Sequence, residues 1–209
     1  MKLKVCGMKY LENMEEVIKL SPDFLGFIFY PKSPRYMADT LNPDEVARIP
    51  AHIKKVGVFV NETTDLVLEK VNRYRLDLAQ LHGHESPEFC ETIKKAGPGV
   101  IKVFSIDKVM DWSVLDSYKD YVDYFLFDTK SKHYGGTGKS FNWEVLKSYD
   151  SDIPYFLSGG VGLDNIGLIN KMPIKQPFAL DVNSRFEIAP GNKDIKQLAG
   201  LKEKLALAF

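Results

Sequence analysis

Eight short runs rich in Val, Ile, Phe and Tyr recur along this chain, each followed by a stretch with the apolar spacing of an amphipathic helix. The strand-like runs cover residues 2–6, 24–30, 55–60, 77–82, 100–106, 122–128, 154–158 and 178–182. Helical patterns lie near 12–20, 43–49, 64–75, 87–97, 112–120, 142–150, 164–171 and 192–208. Strands that alternate with helices pair in parallel, because each crossover returns the chain to the same end of the sheet. Eight such units suit an α/β protein with a single (β/α)8 TIM barrel, formed by residues 1–209 as one domain. An open doubly wound sheet is the structural alternative. It more often carries one glycine-rich turn after its first strand, and Gly7-Met-Lys-Tyr10 is not a dinucleotide fingerprint.

The helix starts carry their own signals. Asn42-Pro43-Asp44-Glu45 sets a capping Asn before Pro at the first helical position, with Glu three residues on, and Ser86-Pro87-Glu88 repeats the idea. Lys plus Arg (28) equals Asp plus Glu (28), and no Lys/Arg run exceeds a pair, so no field steers the chain toward nucleic acid. Two cysteines without a Cys-x-x-Cys give no disulfide framework. No apolar run approaches the ~20 residues of a membrane span, and the first residues are too short an apolar stretch for a signal peptide. The expectation is a cytoplasmic protein with no membrane and no nucleic-acid partner.

Chemistry concentrates where the runs end. Phe125-Leu-Phe-Asp-Thr129, Tyr155-Phe-Leu-Ser-Gly-Gly160 and Phe178-Ala-Leu-Asp-Val-Asn-Ser184 each stop in acidic or small residues, and Gly135-Gly-Thr-Gly138 follows the first. Small residues let backbone N–H groups approach an anion, and a helix start beyond them adds the positive end of its dipole. In a barrel the C-terminal strand ends build the site. Read so, the mouth holds Cys6, Arg35 after Pro31-Lys-Ser-Pro, His82 in Gln80-Leu-His-Gly83, Asp128, Gly159, Gly160, Asp181, Asn183 and Ser184. A thiol, a cation, an acid and an anion cradle around one opening suggest an enzyme acting on a phosphorylated small molecule.

Each residue alone has a plainer reading. A lone Cys in an apolar strand is usually a small buried hydrophobe, and Cys90 on its helix keeps that reading. His82-x-His84 has metal-ligand spacing but no companion cluster, while His52 and His133 have no argued role. Asp128 could cap or bridge, the glycines could form a turn, and Arg35 could be a solvated surface charge.

Taken together these segments are more specific. Lys4-Val-Cys-Gly-Met8, Ser33-Pro-Arg35, Gln80-Leu-His-Gly83, Phe127-Asp-Thr129, Gly135-Gly-Thr-Gly138, Ser158-Gly-Gly160, Asp181-Val-Asn-Ser184 and Pro190-Gly-Asn-Lys-Asp194 follow the order of the phosphoribosylanthranilate isomerases. The chain resembles that family over essentially its whole length. The resemblance implies an Amadori rearrangement in tryptophan biosynthesis: an N-glycoside of anthranilate with ribose 5-phosphate becomes the 1-amino-1-deoxyribulose 5-phosphate. It also implies Asp128 as the acid that opens the ring and Cys6 as the base at C2. Arg35 would take the anthranilate carboxylate. The phosphate would sit on backbone N–H groups around Gly136, Gly160 and Ser184, with Gly135 and Gly159 beside them. His82, Asp181 and Asn183 complete the expected substrate-binding set.

No metal and no organic cofactor is implied, the small phosphorylated substrate is the expected partner, and monomer and homodimer are both compatible. Two departures stand out: Asn183-Ser184 replaces the frequent Ser-Ser, and Arg185 follows where the family commonly has Gly. Whether Arg185 assists the phosphate or points into solvent stays open. Two rival functions are a metal-dependent pentose-phosphate epimerase on a similar barrel and a non-catalytic barrel that binds a phosphorylated metabolite. The first normally carries paired aspartates and a His-x-Asp-like element after strand two, where this chain has Tyr30-Pro-Lys-Ser-Pro-Arg35.

Overall fold

The computed structural model describes residues 1–107, 109–129, 142–169 and 171–208. Eight parallel strands close into a barrel, each hydrogen-bonded to the next and the last to the first. They are β1 (Lys2–Cys6), β2 (Phe24–Ile28), β3 (Lys54–Phe59), β4 (Leu78–Leu81), β5 (Gly99–Ile106), β6 (Tyr124–Thr129), β7 (Tyr155–Leu157) and β8 (Ala179–Val182). The open doubly wound alternative is therefore set aside. Among the described residues no helix is long and apolar enough to cross a membrane.

Successive strand residues face opposite sides, so one parity fills the barrel and the other meets the helices. Phe24, Val56, Leu78, Ile101, Val103, Leu126, Phe156 and Ala179 form an apolar cluster within the barrel. Leu25, Phe27, Phe125, Phe127, Leu157 and Leu180, of the opposite parity, belong to the larger cluster under the helices. Followed toward the C-terminal ends, the inward parity turns polar. Phe24 leads to Gly26, Leu78 to Gln80 and His82, Leu126 to Asp128, and Ala179 to Asp181. On β1 the inward residues are Lys4, level with Phe24 and Asp181, and Cys6, level with Gly26. The floor is dry and the upper layer chemical.

The crossover helices are α1 (Leu11–Lys19), α2 (Pro43–Ala47), α3 (Thr64–Tyr74), α4 (Pro87–Lys95), α5 (Ile166–Ile169) and α6 (Ile195–Ala208). The capping box is present: Glu45 N donates to Asn42 Oδ1 at 3.0 Å and Asn42 N to Glu45 Oε2 at 2.7 Å. Ser86 Oγ accepts from Phe89 N at 3.3 Å.

Four helical expectations need correction. The segments near 112–120 and 142–150 form 3-10 helices, Trp112–Tyr121 and Trp143–Ser148, instead of α-helices. Ser113, Val114, Asp116 and Ser117 are weak helix formers, and Asp111 Oδ1 engages Ser113 N at 3.1 Å, favouring a tight turn. The pattern near 164–171 is an α-helix only over Ile166–Ile169, with residue 170 outside the described set. The last helix starts at Ile195, not 192, because a 3-10 turn (Ser184–Phe186) leads into an antiparallel pair, β9 (Glu187–Ala189) and β10 (Asn192–Lys193). That hairpin folds over the mouth at β1 and β8. Strand ends differ from expectation by a residue or two, most at β2, which stops at Ile28, and at β6, which starts at Tyr124.

Candidate active site

Cys6 ends β1 and is 4% exposed, facing inward over Gly26. A methyl at Gly26 would come within 2.7 Å of Cys6 Sγ, so the glycine leaves the space the sulfur occupies. Burial pushes the thiol above its ordinary range, opposed by the charges of the Lys4 and Lys193 ammonium groups.

Lys4 is fully buried two residues below Cys6 on the same face. Its ammonium donates to Asp181 Oδ1 at 2.7 Å across the β1–β8 ladder, where the two residues are register partners. Burial acts to lower the Lys4 ammonium, but the Asp181 and Cys6 charges outweigh it and raise it overall. Asp181, placed by sequence in the substrate-binding set, is 6% exposed and its carboxylate serves this ion pair.

Asp128 stands on β6, facing inward, with Oδ1 accepting from Thr129 N at 2.8 Å. Burial raises its carboxyl to about 6; the hydrogen bond from Thr129 N, the Lys4 charge and the Ser158 hydroxyl pull the other way, while Asp181 adds to the rise. Close packing against β7 demands a glycine at 159: a Cβ there would lie 2.2 Å from Thr129 Oγ1, and its φ is +81°. His82 Nε2 is 3.6 Å from Asp128 Oδ2. Burial, then the Lys102 and Lys4 cations, lowers His82 to about 4, so at neutral pH its imidazole is uncharged. His84, its sequence companion, is exposed with its backbone N–H on Asn61 Oδ1 at 2.6 Å. Among the described residues no group of three or more His, Cys, Asp or Glu is gathered that could hold a metal ion.

Arg35 is buried, contrary to the solvated-charge reading. The loop after β2 turns back by Tyr36 N to Ser33 O (3.0 Å) and Met37 N to Ile28 O (3.2 Å), carrying the guanidinium over the end of β1. A Cβ on Gly7 would lie 2.8 Å from Arg35 Cδ. Its fork grips Glu187, with Nε 3.0 Å from Oε1 and Nη2 2.6 Å from Oε2. Lys193 Nζ donates to Glu187 Oε1 and to Asn183 Oδ1, both at 2.7 Å. Burial would raise Glu187, but these cations hold its carboxyl below the usual range.

On the opposite rim, Gly160 O accepts from Arg185 Nη1 at 2.7 Å and from Asn165 Nδ2 at 2.8 Å. Arg185 Nη2 also reaches Asp164, at 2.8 Å. Arg185 thus ties the loop after β8 to the loop after β7 instead of pointing freely into solvent. Ser184 opens the 3-10 turn and is half-buried beside Asn183. Gly135, Gly136 and His133 lie outside the described residues.

The barrel therefore gathers Cys6, Asp128, His82, Asp181, Asn183 and Arg35 in its upper layer. Sequence reasoning missed three buried charges there: Lys4, Lys193 and Glu187. Lys4 had a signal, since strand alternation puts it on the face of Cys6. Glu187 had none.

Known proteins share this fold. Residues 3–204 match the family model described as N-(5'phosphoribosyl)anthranilate (PRA) isomerase. An N-(5'-phosphoribosyl)anthranilate isomerase of Parabacteroides distasonis is 42% identical over 205 residues, covering 97% of this chain and 92% of the relative. The crystal structure of phosphoribosyl anthranilate isomerase from Thermotoga maritima superposes with a TM-score of 0.85 at 33% identity, covering 100% of both chains. A third similar structure is a phosphoribosyl anthranilate isomerase in complex with reduced 1-(o-carboxyphenylamino)-1-deoxyribulose 5-phosphate, at 30% identity and a TM-score of 0.79 over 97% of each chain.

Proposed function

The chain belongs to the N-(5'-phosphoribosyl)anthranilate isomerase family, and from that premise we propose how its own residues divide the work: Asp128 as general acid, Cys6 as general base, Arg35 as the holder of the anthranilate carboxylate. The reaction is the aldose–ketose rearrangement of N-(5'-phosphoribosyl)anthranilate to 1-(2-carboxyphenylamino)-1-deoxyribulose 5-phosphate, a step of tryptophan biosynthesis.

Ring opening needs a carboxylic acid that still holds its proton near neutral pH. The observation that carries the assignment is the burial of Asp128, whose carboxyl titrates at about 6 instead of near 3.8. It gives its proton to the furanose ring oxygen as the C1–O bond breaks, leaving a Schiff base. The Cys6 thiolate then takes the C2 proton, producing an enolamine. Tautomerisation returns a proton to C1 and releases the one on O2, so no proton is consumed overall.

Arg35 keeps an N–H edge beyond the two nitrogens that Glu187 occupies, and a carboxylate is the anion such a fork suits. The phosphate belongs to the other rim, around Gly159, Gly160 and Ser184; Gly135 and Gly136, which the resemblance adds to this set, lie outside the described residues. We place the protein in the cytoplasm, with the phosphorylated substrate as its partner and residues 1–209 as a single catalytic barrel domain.

The test is a coupled fluorescence assay with the substrate generated in situ and EDTA present. Cys6→Ala and Asp128→Asn are each expected to lose roughly 10²–10⁴-fold in kcat while still binding the product. Near-normal turnover in either variant removes that residue from the mechanism.

A further inference from the structure

A fully buried lysine in the interior of a barrel is an expensive residue. Interior positions of such barrels are normally branched apolar side chains, and desolvating an ion pair generally costs more than its attraction returns. The same barrel contains a second buried pair, Lys102 and Glu85, whose structural work is plain. Lys102 Nζ donates to Gly83 O at 2.8 Å and Glu85 Oε2 at 2.9 Å, and Glu85 Oε1 accepts from Asn61 N at 2.9 Å, so the pair ties down the loops after β3 and β4. The Lys4–Asp181 pair pins no loop. It lies across two adjacent strands already joined by their own ladder, directly beneath Cys6.

We propose that Lys4 is the positioning residue that makes the Cys6 thiol usable as a base, its ammonium fixed on the face beneath Cys6 by the Asp181 carboxylate. The inference rests on the reading of Cys6 as the base. Strand alternation sets Lys4 and Cys6 on one face, and Asp181, level with Lys4, fixes the ammonium from the neighbouring strand. A cation close to sulfur in a site that excludes water favours thiolate over thiol, and its effect is larger there than in solvent. Lys4 keeps its proton throughout, since the neighbouring carboxylate stabilises the ammonium. The thiol proton leaves to solvent before substrate arrives.

Other charges also bear on the sulfur. From β8, Asp181 opposes thiolate formation; from β10, Lys193 favours it at longer range, with Glu187 as its partner. Asp128 on β6 faces the same pair, and Arg35 covers the end of β1 at Gly7. Lys4 outranks these because it stands on the same strand face as Cys6, two residues away, and is fully buried there with its ammonium fixed by Asp181.

The chain has two cysteines, so cysteine labelled with 13C at Cβ gives two resonances whose shifts report thiol or thiolate directly. Cys6→Ala assigns them, and Cys90, pushed up to about 12 by burial, serves as the unmoved control. In Lys4→Gln the Cys6 titration is expected to move upward so that the thiolate fraction at fixed pH falls about tenfold, with kcat/KM falling in step. Lys4→Gln strands the Asp181 carboxylate, so Lys4→Gln/Asp181→Asn, an amide pair of similar shape, is titrated beside it and is expected to move the same way. An unmoved Cys6 titration in the double variant, or in Lys4→Gln, overturns the inference. If instead Cys6→Ala turns over normally, the base reading itself falls, and the two failures are distinguishable.

Discussion

Arg35 and Glu187, 152 residues apart in sequence, close on each other through a two-pronged contact, with Nη2 2.6 Å from Oε2 and Nε 3.0 Å from Oε1. The pair joins the loop after β2 to the hairpin after β8 across the end of β1. It fixes the plane of the guanidinium before any ligand arrives, which reduces the ordering cost of binding.

Glu187→Gln should therefore act through Arg35. The amide keeps one acceptor but not the charge, so the guanidinium loses its fixed orientation and Lys193 its partner. We expect KM to rise about tenfold, roughly 1.4 kcal/mol, with kcat changed less. Steady-state kinetics decide it: lost kcat with unchanged KM would place Glu187 with the chemistry instead of with binding.

The acid and base predict a distinctive pH profile. The productive form has Asp128 protonated and Cys6 as thiolate, yet Asp128 titrates at about 6 and the buried thiol higher. Below about pH 6 the carboxyl stays protonated while the thiolate fraction falls tenfold per unit, so kcat/KM falls with it. Above that value the loss of one form cancels the gain of the other, giving a plateau that extends to the thiol's own titration. A kcat/KM that keeps rising from pH 6 to 8 contradicts this pairing.

Asp128 also carries a stability cost. Its folded carboxyl titrates about two units above the ordinary value of 3.8, so the native state loses stability as pH rises through about 6. The side chain retains 14% exposure, so the full value of about 3 kcal/mol is an upper bound. Asp128→Asn is expected to be strongly impaired in turnover yet more stable by about 1–3 kcal/mol at pH 8, with the gain gone by pH 4. Urea melts at the two pH values measure this; equal gains at both would attribute the effect to packing instead of charge.

Lys102→Met should destabilise by about 3–5 kcal/mol, because it leaves the 2%-exposed Glu85 carboxylate without its cation. Lys102→Met/Glu85→Gln should recover part of that loss. The double-mutant cycle from denaturant unfolding gives the coupling, and strict additivity would deny the pair any role.

Gly26→Ala tests the space beneath the nucleus of the site. The added methyl would meet Cys6 Sγ at 2.7 Å and Cys6 Cα at 3.0 Å. We expect about 1–3 kcal/mol of destabilisation and a larger loss in kcat than in substrate affinity. Unaltered kcat would show that the sulfur tolerates displacement.

Much of this was legible in the chain. Binary pattern and the caps at Asn42 and Ser86 located all eight strands and the better helices, because parity and capping are local properties. The weaker segments near 112–120 and 142–150 were misjudged as α-helix: apolar spacing reports which face is buried, not how tightly the turn is wound. The hairpin Glu187–Lys193 escaped notice, since a two-residue strand has too few positions for a period.

What the sequence determined by itself was the alternation, and with it the barrel and the strand ends at which Cys6, Asp128 and Asp181 would stand. What only the tertiary structure decided was how the charges pair. Lys4 finds Asp181 because the barrel closes β8 onto β1, and Arg35 finds Glu187 because two loops meet over its mouth. Parity is set by neighbours along the chain, whereas the partner of a buried charge is set by closure, which brings together residues more than 150 positions apart.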